Sequence, residues 1–173
     1  MSFDHRAFAF EWNAFQRELV LLLAKALTGD DAKGLERFVD ENLGACSNPN
    51  DGEALGVDWR NTLGAGDVQE IADIALTKFY DPSADGGLHE LWSSVEEKLE
   101  PRARRALLGS PFEVRGVCFD PGKMGAYFQS PDEVTVSLAT LRELDLSEGV
   151  ELDEFAAFLA TVAAESKGLY VTF

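Results

Sequence analysis

The sequence predicts an α+β fold: a helical N-terminal half followed by a small, mainly antiparallel sheet with one or two packed helices. Three observations predict it. Up to about residue 109, apolar side chains recur at spacings of three and four, the period of a helix. After Pro111, short β-branched and aromatic runs alternate with turn sequences. The chain then ends on a strong amphipathic stretch and an apolar terminal run. The 173 residues are read as one domain, 1–173, with 109–112 as the candidate subdomain seam.

The first helix is read from Phe8, Trp12, Phe15, Leu19, Leu22, Leu23 and Ala26, which share one helical face. Thr28-Gly29 ends it. Asp30 or Asp31 caps the next, whose stripe is Leu35, Phe38, Val39 and Leu43, with Gly44 as its C-cap. Residues 45–66 read as a long polar loop carrying the turn sequence Asn48-Pro49-Asn50-Asp51-Gly52. Asp67 caps a third helix with Val68, Ile71, Ala72, Ala75, Leu76 and Phe79 inward; Asp81-Pro82 stops it. Leu88, Leu91, Trp92, Val95 and Leu99 mark a fourth, and Pro101 opens a fifth that ends at Gly109.

Residues 112–119 read as a strand in which Gly116 marks a bulge. Asp120-Pro121-Gly122 turns the chain into Ala126-Tyr127-Phe128-Gln129. Ser130-Pro131-Asp132 turns it again, into a strand at Val134-Thr135-Val136, followed by weak helical character over 137–146. Leu152, Phe155, Ala156, Leu159, Val162 and Ala163 form the amphipathic helix, with Glu148, Glu151, Asp153 and Glu154 at its positive end. Leu169-Tyr170-Val171-Thr172-Phe173 reads as a strand held in the sheet, because so apolar a run is unfavourable in water.

Thirty-one carboxylates face fifteen Lys and Arg, a formal charge of −16. Such a chain repels nucleic acid and anionic lipid and associates fastest with basic surfaces; the same excess also serves plain solubility. The apolar run from Leu19 to Leu27 is too short to span a bilayer, and residues 1–6 do not read as a signal peptide. Cys46 and Cys118 belong to no CxxC or Cys/His cluster, which points to a reducing, cytoplasmic setting. Neighbours of Cys118 suggest a core position. His5 sits near a terminus read as loose, and His89 on a helix read as solvated.

No residue pattern demands a cofactor or a metal. Asp81, Ser83 and Asp85, with Gly86, copy the start of a calcium loop, but position twelve holds Trp92 where a bidentate Glu belongs. The plainer reading is a helix stop and an Asx turn. Gly64-Ala65-Gly66 lacks the third glycine and the preceding strand of a dinucleotide loop. Arg102, Arg104 and Arg105 form the one basic cluster, read as pairing with Glu97 or Glu100. The chain has no GxSxG and no HExxH, and a Cys118–His89 dyad has no support in spacing.

Two surfaces carry the partner reading. The loop with Asp51, Glu53, Asp58 and Trp59 offers acids for steering and an aromatic anchor, unless Trp59 folds back onto the core. The turn from Asp120, with Tyr127 close by, is the second. In class, without any shared motif, the chain is similar to small cytosolic inhibitors and immunity proteins that occlude a basic toxin or nuclease. The expected function is therefore a non-catalytic acidic protein-binding module with a basic partner and no role at nucleic acid or membrane. The alternatives are a small enzyme whose site is built from dispersed carboxylates, and a housekeeping interaction domain. Oligomeric state and strand order are not set by the sequence.

Overall fold

A computed structural model of the chain describes residues 4–144 and 152–173. It is an α+β fold: a four-stranded antiparallel sheet lies between two layers of helices, with a separate small hairpin at one side.

The sheet begins at the N-terminus. Strand β1 (Arg6–Phe10) reads Arg-Ala-Phe-Ala-Phe, a period-two pattern that sends Phe8 and Phe10 to one face and Ala7 and Ala9 to the other. Phe8 therefore belongs to a strand, where its four-residue spacing from Trp12 suggests a helix. Helices α1 (Trp12–Glu18) and α2 (Val20–Gly29) follow almost continuously, and α3 (Lys33–Glu41) ends at Asn42 rather than Gly44. The 45–66 stretch is less bare than its polarity suggests. Ser47 pairs with Ala54, the Ser47 N–H donates to Thr77 Oγ1, and α4 (Trp59–Leu63) forms within it.

Asp67 caps α5 (Val68–Leu76) as its sequence predicts, through a reciprocal capping box with Glu70. A 3₁₀ turn (Thr77–Phe79) continues α5. Then come α6 (Leu91–Val95), a second 3₁₀ turn (Glu96–Lys98) and α7 (Pro101–Leu108). Strand β2 (Ser110–Pro111) is short, and β3 (Glu113–Val114) and β4 (Val117–Cys118) make the side hairpin. Arg115 and Gly116 both have positive φ, so Gly116 sits in a tight two-residue hairpin turn and not in a bulge.

Strand β5 (Ala126–Gln129) leads directly into α8 (Pro131–Glu143). The strand expected at 134–136 is thus the first half of a helix. Ser130 caps it, Pro131 occupies its first turn and Glu133 completes a capping box; this local chemistry overrides the β-branched run. Val134 turns inward while Val136 is 65% exposed. Helix α9 (Asp153–Ala164) carries Asp153 and Glu154 in its first turn, whereas Glu148 and Glu151 lie outside the described residues. The terminal run forms β6 (Gly168–Thr172), paired on both sides, giving the order β1-β6-β5-β2.

Two apolar layers sandwich this sheet. Phe8, Phe10, Phe128 and Tyr170 pack against Phe15, Leu23, Leu35, Ile71 and Phe79 from the N-terminal helices. Ala7, Leu169 and Val171 pack against Leu107, Val134, Phe155 and Leu159 from the C-terminal ones. The aromatic layer is dense, with Phe15 and Phe128 stacked at 5.7 Å and Phe128 and Tyr170 at 5.0 Å. Among the described residues no helix is long and apolar enough to cross a membrane.

Two assignments change with the fold. His5 is fully buried, not loose: Nδ1 accepts from the Leu88 N–H at 3.1 Å, Nε2 lies 3.2 Å from the Leu107 carbonyl, and the ring stacks on Trp92. Cys118 is exposed on the side hairpin, while Cys46 is the buried thiol.

Candidate functional site

A cleft of about 370 Å³ opens where the aromatic face of the sheet ends. Arg6 and Thr172, register partners on β1 and β6, form part of its base. Helix α5 contributes Glu70, Asp73 and Ile74, and Tyr80 lines the cleft from beyond the 3₁₀ turn. Asn48, Pro49 and Asn50 bound one part of the rim, and Pro121 and Gly122 another. Gln69 explains why the second rim stays in place: its Nε2 donates to the Cys118 carbonyl at 2.8 Å and its Oε1 accepts from the Asp120 N–H at 2.9 Å. One helix thus carries the cleft acids on one side and the hook for the 120–122 turn beside them.

Asp73 is the unusual group. It interrupts the apolar stripe of α5 between Ala72 and Ile74, and among the described residues none donates a hydrogen bond to its carboxylate. Burial pushes it up to about 7, against the opposing pull of Arg6. Burial also drives the Tyr80 and Tyr170 phenols well above their ordinary value, with the Asp73 charge adding to both shifts. Glu70 is already engaged at the head of α5, its Oε2 accepting from the Gly66 N–H at 2.7 Å and the Asp67 N–H at 3.3 Å.

Arg6 is held from behind. Its Nε donates to Asp85 Oδ2 at 3.1 Å and an Nη donates to the Pro82 carbonyl at 3.2 Å. Asp85 Oδ1 also accepts from the Ala7 and Gly87 N–H groups, both at 2.9 Å. Residues 85–89 therefore run along the free edge of β1 and cover it. Gly87 has no room for a side chain there: a Cβ would lie 2.0 Å from the His5 carbonyl oxygen.

The sequence-derived residues distribute unevenly around this cleft. Asp51 and Glu53 are exposed just beyond the Asn48–Asn50 rim; Asp51 accepts from Asn48 Nδ2 and from the Glu53 N–H, both at 2.9 Å. Asp120 stands at the head of the opposite rim, half-buried, with Oδ1 accepting from the Gly125 N–H at 2.9 Å. The two loops singled out separately are thus neighbours on one opening.

Asp58 is exposed and accepts from Asn61 beside it. Trp59 folds inward at 1% exposure, its Nε1–H donating to Asp40 Oδ1 at 3.0 Å, so its ring is no surface anchor. Tyr127 lies on the opposite sheet face, lining a smaller cavity of about 140 Å³ with Trp92, Arg104 and Phe173.

Asp81, Ser83 and Asp85 do not converge on a cation. Asp81 Oδ1 accepts from the Ser83 N–H and Oγ–H in an Asx turn, and Asp85 is committed to the β1 clamp. Among the described residues no group of three His, Cys, Asp or Glu could hold a metal ion. His89 is exposed, with Nδ1 3.2 Å from Asp4 and 3.9 Å from Asp85, on an open surface. Arg102 and Arg104 pair with Glu143 and Glu96, and Arg105 donates to Ser110; none uses Glu97 or Glu100.

Asp73, Arg6 and Tyr80 are not among the residues the sequence marks as candidates. A signal for Asp73 was present: an acid set between Ala72 and Ile74, inside a helix with inward-facing residues on several sides, has nowhere fully solvated to go. Arg6 and Tyr80 carry no such mark, because only the strand pairing brings them to α5. None of the protein families, curated proteins or solved structures compared with this chain matches it.

Proposed function

We propose that this chain is a non-catalytic acidic binding module that receives a basic protein at the Asp73 cleft, in the manner of an inhibitor that occludes a toxin or nuclease. The observation that carries the reading is the convergence of acidic loops on one opening. Asp51 and Glu53 adjoin one rim, Asp120 adjoins the other, and Asp73 and Glu70 lie between them. Exposed rim acids raise the rate of encounter with a cationic surface, and a recessed acid gives that surface something to dock into. Among the described residues the cleft lining holds no cysteine, serine or histidine, the residue types on which nucleophilic catalysis most often relies.

The test starts from the native cell. The chain is immobilised, the retained protein is identified and purified, and its association is followed by stopped flow at increasing salt. A basic partner whose association slows at least about tenfold between low and physiological ionic strength supports the reading. A neutral or acidic partner, or a rate indifferent to salt, overturns it.

One observation favours a second reading. A recessed carboxyl raised to about 7 is poised to exchange protons near neutral pH, as a general acid or base must be. A panel of nitrophenyl esters, phosphates and glycosides separates the two. Turnover lost in Asp73→Asn supports catalysis, and no turnover above buffer leaves binding as the function.

A further inference from the structure

We propose that the cleft floor is a receptor for a single arginine side chain of the basic partner, with the guanidinium seated on the Asp73 carboxylate. The inference rests on the binding function proposed above and names what enters the cleft. Among the described residues no sealed polar side-chain atom lacks a partner. No described residue donates a hydrogen bond to the Asp73 oxygens, so they are not sealed and lie open to the cavity. A half-buried carboxylate with no protein donor relies on water for its hydrogen bonds, and a ligand that carries matched donors binds there by replacing that water.

The charge balance of the cleft selects a cation. Among the described residues its lining holds one positive side chain, Arg6, against two carboxylate side chains, Glu70 and Asp73. Asp85, 3.1 Å from Arg6 Nε, offsets much of the Arg6 charge, so Arg6 attracts Asp73 without a hydrogen bond to it and repels a second cation less than a lone guanidinium would. Glu70 has committed Oε2 to the α5 cap and leaves Oε1 without a hydrogen bond.

Shape then favours guanidinium over ammonium. Pro49, Ile74 and Pro121 give the cleft an apolar lining beside the acids. A flat, weakly hydrated guanidinium slides between such walls and forks its donors onto a carboxylate, whereas a compact ammonium gives up a tight hydration shell for fewer matched bonds.

The site is also tuned to respond to pH. Asp73 is faced by Arg6 from β1, Tyr80 beyond the 3₁₀ turn and Tyr170 from β6, with Glu70 on its own helix and Asp120 on the rim. Of these, Arg6 opposes the upward push of burial, which leaves the carboxyl near 7. Only the ionised form attracts a guanidinium, so affinity climbs between about pH 6 and about pH 8, roughly tenfold.

The experiment titrates the ¹⁵N-labelled full chain with N-acetyl-arginine amide at both pH values. Expected are amide shifts at Asp73, Ile74, Tyr80 and Thr172, binding about tenfold weaker at the lower pH, weaker binding of N-acetyl-lysine amide, and none of N-acetyl-norleucine amide. Asp73→Asn should abolish these shifts while keeping a dispersed spectrum. Cleft shifts absent in the folded wild type at the higher pH, or unchanged in Asp73→Asn, overturn the proposal; lysine amide binding as tightly as arginine amide overturns the choice of guanidinium. A basic partner protein that binds Asp73→Asn undiminished removes the arginine receptor and leaves the acidic module standing. Arginine amide seated in the cleft with no basic protein partner found does the reverse.

Discussion

Asp85 and Asp73 both act on Arg6, and the contrast between them separates what holds this molecule together from what it keeps available. Asp85 accepts three hydrogen bonds, two from backbone N–H groups and one from the guanidinium, and ties residues 85–89 to the first strand. Asp73 accepts none from the described residues and faces a cavity. A carboxylate with its acceptor sites filled contributes to stability. One recessed without a protein donor opposes it, and that pattern is characteristic of ligand-binding positions.

The sharpest way to break the contrast is at Asp85. Asp85→Ala strips all three bonds and leaves Arg6 half-buried without its counter-charge, so urea unfolding should show a loss of about 3 kcal/mol. Asp85→Asn keeps an oxygen for the Ala7 and Gly87 N–H groups but turns away from Arg6, and about half that loss is expected. Equal losses from the two variants would mean that charge, not backbone anchoring, holds the β1 edge.

Asp73 should behave in the opposite sense. Its carboxyl lies at about 7 in the fold against an ordinary 3.8, so the folded chain holds its proton more tightly than the unfolded chain does. Stability from this group is complete below about pH 4, declines as pH rises towards 7, and is lost above that. Asp73→Asn removes the penalty. It should raise stability by about 1–2 kcal/mol at pH 8, well short of the full shift because the cavity admits water, and leave it unchanged at pH 4. Destabilisation at pH 8 would place Asp73 among the structural acids with Asp85.

His5 slopes the other way. Burial lowers it from the ordinary 6.5, although the Leu107 carbonyl pulls it up. Its contribution is therefore complete above about pH 6.5 and is lost as pH falls below that value. Protonation would also set a second N–H against the Leu88 N–H that now donates to Nδ1. Proton NMR should show the His5 midpoint below 6.5, and His5→Gln should flatten the acid limb of the stability profile by about 1 kcal/mol.

Much of the architecture is legible in the sequence where local chemistry agrees with itself. Asp67 and Glu70 announce α5, Pro101 and Gly109 bracket α7, and the apolar end marks a strand. It misleads where two periods overlap. Phe8 stands four residues before Trp12 and two before Phe10, and only pairing with β6 decides for the strand. Val134-Thr135-Val136 has strand composition inside a capped helix. The site was half legible for a related reason. Rim acids are exposed and declare themselves by turn chemistry, so residues 51–53 and 120–122 can be found from sequence. The floor is assembled by long-range contact, since Arg6 and Asp73 meet across 67 positions of chain.

The smallest stability effect belongs to the rim, and it bears on function most directly. Asp51 and Glu53 are exposed, and their bonds lie within their own turn. Replacing both with Ala should move the unfolding free energy by no more than about 0.5 kcal/mol. If the rim steers a basic partner, the same pair should still slow association several-fold at low salt while leaving dissociation nearly unchanged, and the difference should fade as salt rises. Asp73→Asn should do the reverse, speeding dissociation more than it slows encounter, because a recessed charge is felt only after docking. An effect of the rim pair on dissociation alone would mean that Asp51 and Glu53 touch the partner directly, and the division between a steering rim and a holding floor would then be wrong.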